Sequence, residues 1–161
     1  MKIQGKYWLI LGGIFSVAIA ILHIAIIFGG APAYRYFGAG EEMAQMAMAG
    51  SALPALVTFL IAVIFAVWGL YAFSGAGLIC RLPLLPIGLI VIASIYTLRG
   101  IGVIPQIVWM IKSPKSVLPQ DLIFSLASLL IGIVYFLGTI ATWHILQAHS
   151  QIGRASCRER V

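Results

Sequence analysis

The sequence predicts an all-α, integral membrane fold: an up-down bundle of four transmembrane helices with a short interfacial helix in the first loop. Three observations carry this. Of 161 residues, 62% are hydrophobic and 9% charged, where a soluble domain averages about 25% charged. The apolar residues fall in charge-free runs from Tyr7 to Tyr34, Met43 to Ile79, Leu82 to Leu98 and Leu122 to Gly153, and about 20 apolar residues cross a bilayer core as a helix. The runs lack the period-two alternation of a membrane β-barrel. Helices, which satisfy their own backbone hydrogen bonds in lipid, are therefore expected.

Span one is placed at residues 7–28. Its apolar stretch is longer than a signal-peptide core, and "FGGAPAYRYF" follows it in place of a small-residue cleavage site. It is read as retained. Loop one, "APAYRYFGAGEEMAQMAM", holds two of the four carboxylates and three of the five methionines. Two short helical pieces are expected there, at residues 32–37 and 41–49, hinged at Gly38-Ala39-Gly40 and lying on the membrane. Glu41 and Glu42 at the start of the second piece favour the positive end of its helix dipole. Met43, Met46 and Met48 offer soft sulfur to Cu(I), but methionine is also an adaptable apolar filler. Packing is the stronger reading.

Span two is placed at 53–73, span three at 84–111 and span four at 121–147. Pro54, Pro83 and Pro119 are read as first-turn prolines, tolerated because those N–H groups lack helical partners anyway. Pro105, after Arg99-Gly100 and Gly102, predicts a kink in span three. Short second and third loops favour antiparallel neighbours. The lysines and arginines tie at three on each side, so the positive-inside rule barely orients the chain. Lys2 and Lys6, close against span one, favour cytoplasmic termini. Tyr7, Trp8, Trp68, Tyr71 and Trp143 are assigned to one interfacial belt, and Tyr34, Tyr36 and Trp109 to the other.

The domain is taken as residues 1–151. The tail, "IGRASCRERV" at 152–161, resembles the translation of a sequencing-adapter oligonucleotide, so the true C-terminus is expected to be missing. The alternative is a basic tail on anionic lipid. Excluding the tail removes Arg154, Arg158, Arg160 and Glu159, which lowers the formal charge of +6 by two. It also leaves Cys80 alone, so cysteine gives no redox-compartment evidence.

An ionisable residue inside a membrane is by default a functional candidate. Arg99 and His23 are the two, with His23 about 8 Å below the end of span one at 1.5 Å per residue. Arg99 needs a counter-charge or a wet cavity, because it costs about 2.5 to 3.5 kcal/mol on insertion scales. Asp121, Glu41 and Glu42 lie on its side of the membrane and are the anions available. The ligand-site hypothesis is therefore His23, Arg35, Glu41, Glu42, Arg99 and Asp121. The plainer reading is that Arg99 snorkels, or pairs with Asp121 to fix packing. Span four adds a stripe of Ser125, Ser128, Gly132, Tyr135, Thr139 and Thr142, spaced three and four apart on one helical face. Span one matches it with Gly12, Ser16, Ala20 and His23. Both stripes are expected to point inward, as packing surfaces first and as a hydroxyl-lined pocket second. His23 and His144 fall near opposite faces, which argues against one haem between them. No catalytic residue, metal site, cofactor or nucleic-acid partner is read from the sequence.

The run "YRYFGAGEEMA … LPALVTFLIAVIFAVWGLYAFSGAGLICRLPLL … YTLRG", from Tyr34 to Gly100, resembles a small four-helix bacterial inner-membrane family without an assigned activity. It is similar to DoxX-like proteins in size and hydropathy. Some DoxX-like proteins are linked to quinone or thiol redox systems, but the resemblance itself implies only a bacterial inner membrane with no assigned function. The expectation is a non-enzymatic membrane module that associates with lipid and with a second copy or a membrane-protein partner. The alternatives are a protein handling a small ligand or ion, and a quinone-linked redox accessory.

Overall fold

The computed structural model describes residues 3–112 and 119–158, with side chains over 4–112 and 119–144. The regular structure of the described residues is all helix: α1 Ile3–Tyr36, α2 Glu41–Met48, α3 Leu53–Gly75, α4 Leu85–Ile101, α5 Val103–Lys112 and α6 Pro119–Arg158. Four stretches are long and apolar enough to cross a membrane: Gln4–Tyr36, Leu53–Gly75, Leu85–Lys112 and Pro119–His144. They fit a multi-pass membrane protein. Lys2 and Lys115, on which the orientation count partly rests, lie outside the described residues, as do the side chains of the tail at 152–161.

The breaks have local causes. α1 is interrupted at Gly30, whose φ of 60° is costly for a residue with a Cβ, and Pro32 cannot donate a helical hydrogen bond just beyond it. Positive φ at Gly38 and Gly40 turns the chain from α1 into α2. The third span breaks at Gly102, between α4 and α5, three residues before Pro105, because proline offers no N–H to the carbonyl of Ile101. Pro83 falls before α4 rather than in its first turn. Leu84 sits in left-handed conformation with φ 52° as the N-cap, and Pro86 takes the first-turn position.

Small residues face inward and large ones outward, the reverse of a soluble helix. On α3, Pro54, Thr58, Ala62, Gly69 and Ala72 are buried, while Leu53, Leu56, Leu60, Val63, Val67 and Leu70 form an exposed apolar stripe.

Two tight pairs result, α1 with α3 and α4 with α6. A Cβ built on Gly69 would lie 2.8 Å from Val17, and one on Gly100 would lie 2.5 Å from the Leu129 backbone. α1 and α6 join the pairs and pass in opposite directions. Gly5 meets Ala141 and Thr142, Gly12 meets Tyr135, and Gly38, just past α1, lies near Asp121. The main core collects Leu9, Leu89, Ile92, Tyr96, Ile131 and Tyr135. A second, smaller core of Ile26, Ala31, Tyr34 and Ala44 fastens α2 onto the end of α1. Tyr34, assigned from sequence to an interfacial belt, is thus a core residue, 2% exposed.

Candidate functional site

The two facing stripes supply the floor of a site. Ser16 on α1, Tyr96 on α4 and Tyr135 on α6 are buried. The Ser16 Oγ shares hydrogen bonds with the Tyr135 hydroxyl at 2.7 Å and the Tyr96 hydroxyl at 3.0 Å. The Tyr135 hydroxyl also reaches the carbonyl of Trp68 on α3 at 3.2 Å. One hydroxyl cluster therefore ties all four spans together. It can give Ser16 and one tyrosine a proton to donate inside the cluster, and it ends on a backbone carbonyl, which accepts and cannot pass a proton on. This is a latch rather than a proton path.

Below the latch the α1–α6 seam is knitted by glycine; above it the helices part. A cavity of about 640 Å³ opens there. Its wall is aromatic, from Phe15, Phe65, Trp68 and Tyr96 at depth to Phe37 and Phe124 at the loop-one end. Phe65, Trp68 and Tyr96 pack edge-on or tilted at 5.1 to 6.0 Å between ring centroids. Phe37 stacks on Phe124 at 5.8 Å, so the hinge of loop one caps the cavity. Phe15, Leu22 and Ile95 line the cavity and are also exposed, so it opens onto the molecular surface.

The polar lining is sparse: His23, Arg99 and Ser128 beside Tyr96. Ser128 spends its hydrogen on the carbonyl of Phe124 in its own helix, at 2.8 Å. His23 packs on Phe65 at 5.1 Å, and its Nδ1 lies 2.8 Å from the carbonyl of Ile19. A carbonyl only accepts, so Nδ1 carries the proton, which in the uncharged tautomer would leave Nε2 free to accept. Arg99 stands one turn beyond Tyr96 on the same helix face and has no hydrogen-bond or ion-pair partner among the described residues.

Of the six residues singled out from sequence, the structure brings two, His23 and Arg99, to the cavity. The anions expected to answer Arg99 are elsewhere. Glu41 accepts two hydrogen bonds from Arg35, from Nε and Nη2, each at 2.8 Å, with Gln45 adding a third. That grip holds the Glu41 carboxyl below its ordinary range, first through the Arg35 hydrogen bond. Glu42 is exposed on α2, and Asp121 is half-buried under the Gly38 hinge. Neither has a partner among the described residues. Arg35 is chosen over Arg99 because it is six residues from Glu41, and a short loop closes at less entropic cost than a long one.

The stripe on α6 is buried at Ser125, Gly132, Tyr135, Thr139 and Thr142, with Ser128 half-buried. Its hydroxyls serve the protein itself. Ser125 donates to Gln106 and fixes α5, Thr142 bonds back to Gly138, and the Thr139 hydroxyl is buried without a partner. The aromatic wall was not singled out from sequence. Trp68, assigned to an interfacial belt, instead packs between Phe65 and Tyr96. The signal available was its spacing: Phe65 and Trp68 share a helix face with the buried Ala72.

No protein-family model, curated protein or solved structure matches the chain.

Proposed function

We propose that this is a multi-pass membrane protein, an up-down four-helix bundle with α2 lying at the interface, that binds a small amphipathic ligand in the cavity between its helix pairs. One observation carries the reading. The two ionisable residues that the sequence places within the spans, half-buried His23 and exposed Arg99, both line one cavity with an otherwise apolar, aromatic wall. A mostly apolar pocket of roughly 300–1,000 Å³ with a few polar groups is the usual form of a small-molecule site, and an intramembrane arginine without a protein partner calls for a ligand or water to answer it. The small-residue stripes, which could have served association with another chain, are consumed within this one. Lys6 in the first turn of α1 supports cytoplasmic termini, and the resemblance noted above supports a bacterial inner membrane.

The test is retention. Full-length protein is extracted in mild detergent, and its bound small molecules are analysed by mass spectrometry. The wild type is expected to carry a compound that Ala18→Trp, which fills the mouth of the cavity, does not, with both melting at the same temperature. Identical contents in the two proteins would overturn the reading.

The aromatic wall favours one second reading, a neutral quinone. Its ring would stack on the wall, with Arg99 donating to one oxygen and the His23 Nε2 accepting from the reduced form. A bound quinone would appear as a borohydride-sensitive ultraviolet difference spectrum in the same extract.

A further inference from the structure

The ligand's chemical class can be argued further. The geometry points to a single-chain amphiphile with a carboxylate head, which enters from the lipid between α1 and α6 and seats its head on Arg99. This rests on the ligand-binding reading above.

Four observations converge. First, charge. Arg99 is the one permanently charged side chain among the residues lining the cavity, and the described carboxylates near that end of the bundle do not pair with it. Arg99 is exposed at the cavity's edge, so within a bilayer lipid completes its apolar surroundings, and one fixed positive charge there selects one negative charge, because Coulombic attraction grows as the local dielectric falls. Second, shape. A guanidinium matches a carboxylate through two parallel hydrogen bonds, and this chain already shows that pairing between Arg35 and Glu41. Third, size. A water occupies about 30 Å³ of liquid, so 640 Å³ corresponds to about 20 atoms of that size. This suits one long acyl chain with its head; a two-chain phospholipid carries more than twice as many. Fourth, access. Phe15, Ala18 and Leu22 on α1 and Phe124 and Ala127 on α6 line the cavity. Of these Phe15, Ala18, Leu22 and Ala127 are exposed. The opening is thus bordered by apolar side chains of two candidate spans, where a lipid-soluble molecule meets no polar barrier.

The head's depth follows from helix geometry. Ser16 and Tyr96 are bonded at the floor. Arg99 lies three residues beyond Tyr96, about 4.5 Å along α4, and His23 seven beyond Ser16, about 10 Å along α1. The head binds above the floor, with Arg99 beneath it and His23 nearer the loop-one end.

The test uses contact quenching of Trp68 in the cavity wall. Full-length protein with Trp8→Phe, Trp109→Phe and Trp143→Phe is placed in phosphatidylcholine nanodiscs. It is titrated with dibromostearic acid, with the matching dibromo alcohol, and with a decyl benzoquinone as competitor. The acid is expected to quench saturably, with a midpoint at least tenfold below that of the alcohol. Arg99→Gln is expected to abolish that preference and Arg99→Lys to keep most of it. Equal, saturable quenching by acid and alcohol overturns the carboxylate class and leaves the cavity a ligand site. So does an acid preference that survives Arg99→Gln, or a quinone that displaces the acid at lower concentration. Quenching by neither that saturates overturns ligand binding itself. Loss of folded Arg99→Gln protein does not block the test, since the acid–alcohol comparison in the parent protein decides the class alone.

Discussion

The seam between the α1–α3 pair and the α4–α6 pair has two unlike ends. At one, Gly5, Gly12 and Gly138 let the backbones approach, and Leu9 and Tyr135 fill what space remains. At the other, α1 has no glycine from Ile14 to Phe28, and α6 has none from Pro119 to Ile131. No glycine brings the two backbones together there, and the cavity is the space left between them. Helices in lipid gain little from burying apolar surface against each other, and association relies on close packing and interhelical hydrogen bonds. Where glycines stop, so does the closest backbone approach across the seam. The same rule that fastens one end thus leaves the other open.

The largest expected effect comes from making the closed end resemble the open one. A Cβ on Gly138 would meet the Leu9 side chain at 2.8 Å and its backbone nitrogen at 3.0 Å. Gly138→Val must push α1 away, and overpacking of this kind costs about 1–3 kcal/mol. Ala127→Val adds a branched side chain to the same helix beside the cavity, where Ala127 is exposed, and should stay within about 0.5 kcal/mol of wild type. Thermal unfolding of both in one detergent measures the difference. Equal losses would show that the two ends are packed alike.

A smaller effect is expected at the boundary between the ends. Tyr135→Phe removes a hydroxyl bonded to Ser16 and to the Trp68 carbonyl. Tyr96→Phe removes one bonded to Ser16. Interhelical hydrogen bonds in membranes average about 0.6 kcal/mol, with a maximum near 1.7. Tyr135→Phe should therefore lie in that range and exceed Tyr96→Phe. The reverse order, read from the same melting experiment, would mean that the latch is centred on α4 and that the cavity floor is held from its own side.

Much of this comparison is legible in the sequence. The four spans follow from charge-free runs, and the buried face of α6 follows from Ser125, Gly132, Tyr135, Thr139 and Thr142 spaced along one face. His23 and Arg99 stand out because polar groups inside a membrane are costly. What was not legible depends on which face of a helix a residue occupies and on competition between partners. Position along the chain points Trp68 and Tyr34 to the interfaces, whereas the fold turns both inward. Glu41 was matched to Arg99 by side of the membrane, but a partner six residues away takes it. Glycine's distribution, rather than its number, held the unused information: a gap in glycine on both helices of one seam marks where they separate.

The smallest expected effect concerns how the open end is capped. Phe37, which stacks on Phe124 at the loop-one end of the cavity, is followed at once by the Gly38 hinge, and the Arg35–Glu41 pair spans that hinge from α1 to α2. Both members are exposed, so solvent screens the pair and its contribution is modest. Its direction with pH is nonetheless fixed. The Glu41 carboxyl titrates below its ordinary range because the charged form is held by Arg35. The pair therefore stabilises the cap fully above the ordinary carboxylate range, and that support is lost as the pH falls through the lowered value. A spin label at Ala49→Cys, just past α2, reports the cap's mobility once Cys80 and Cys157 are replaced by serine. In the otherwise wild-type protein the label should be restrained at neutral pH and loosen on acidification. With Glu41→Gln it should be looser at neutral pH and respond little to acid, because glutamine presents no charge to lose. If both proteins loosen equally on acidification, then the Arg35–Glu41 pair does not govern the response, and the titrating group is Glu42 on α2 or Asp121 on the α6 side of the cavity.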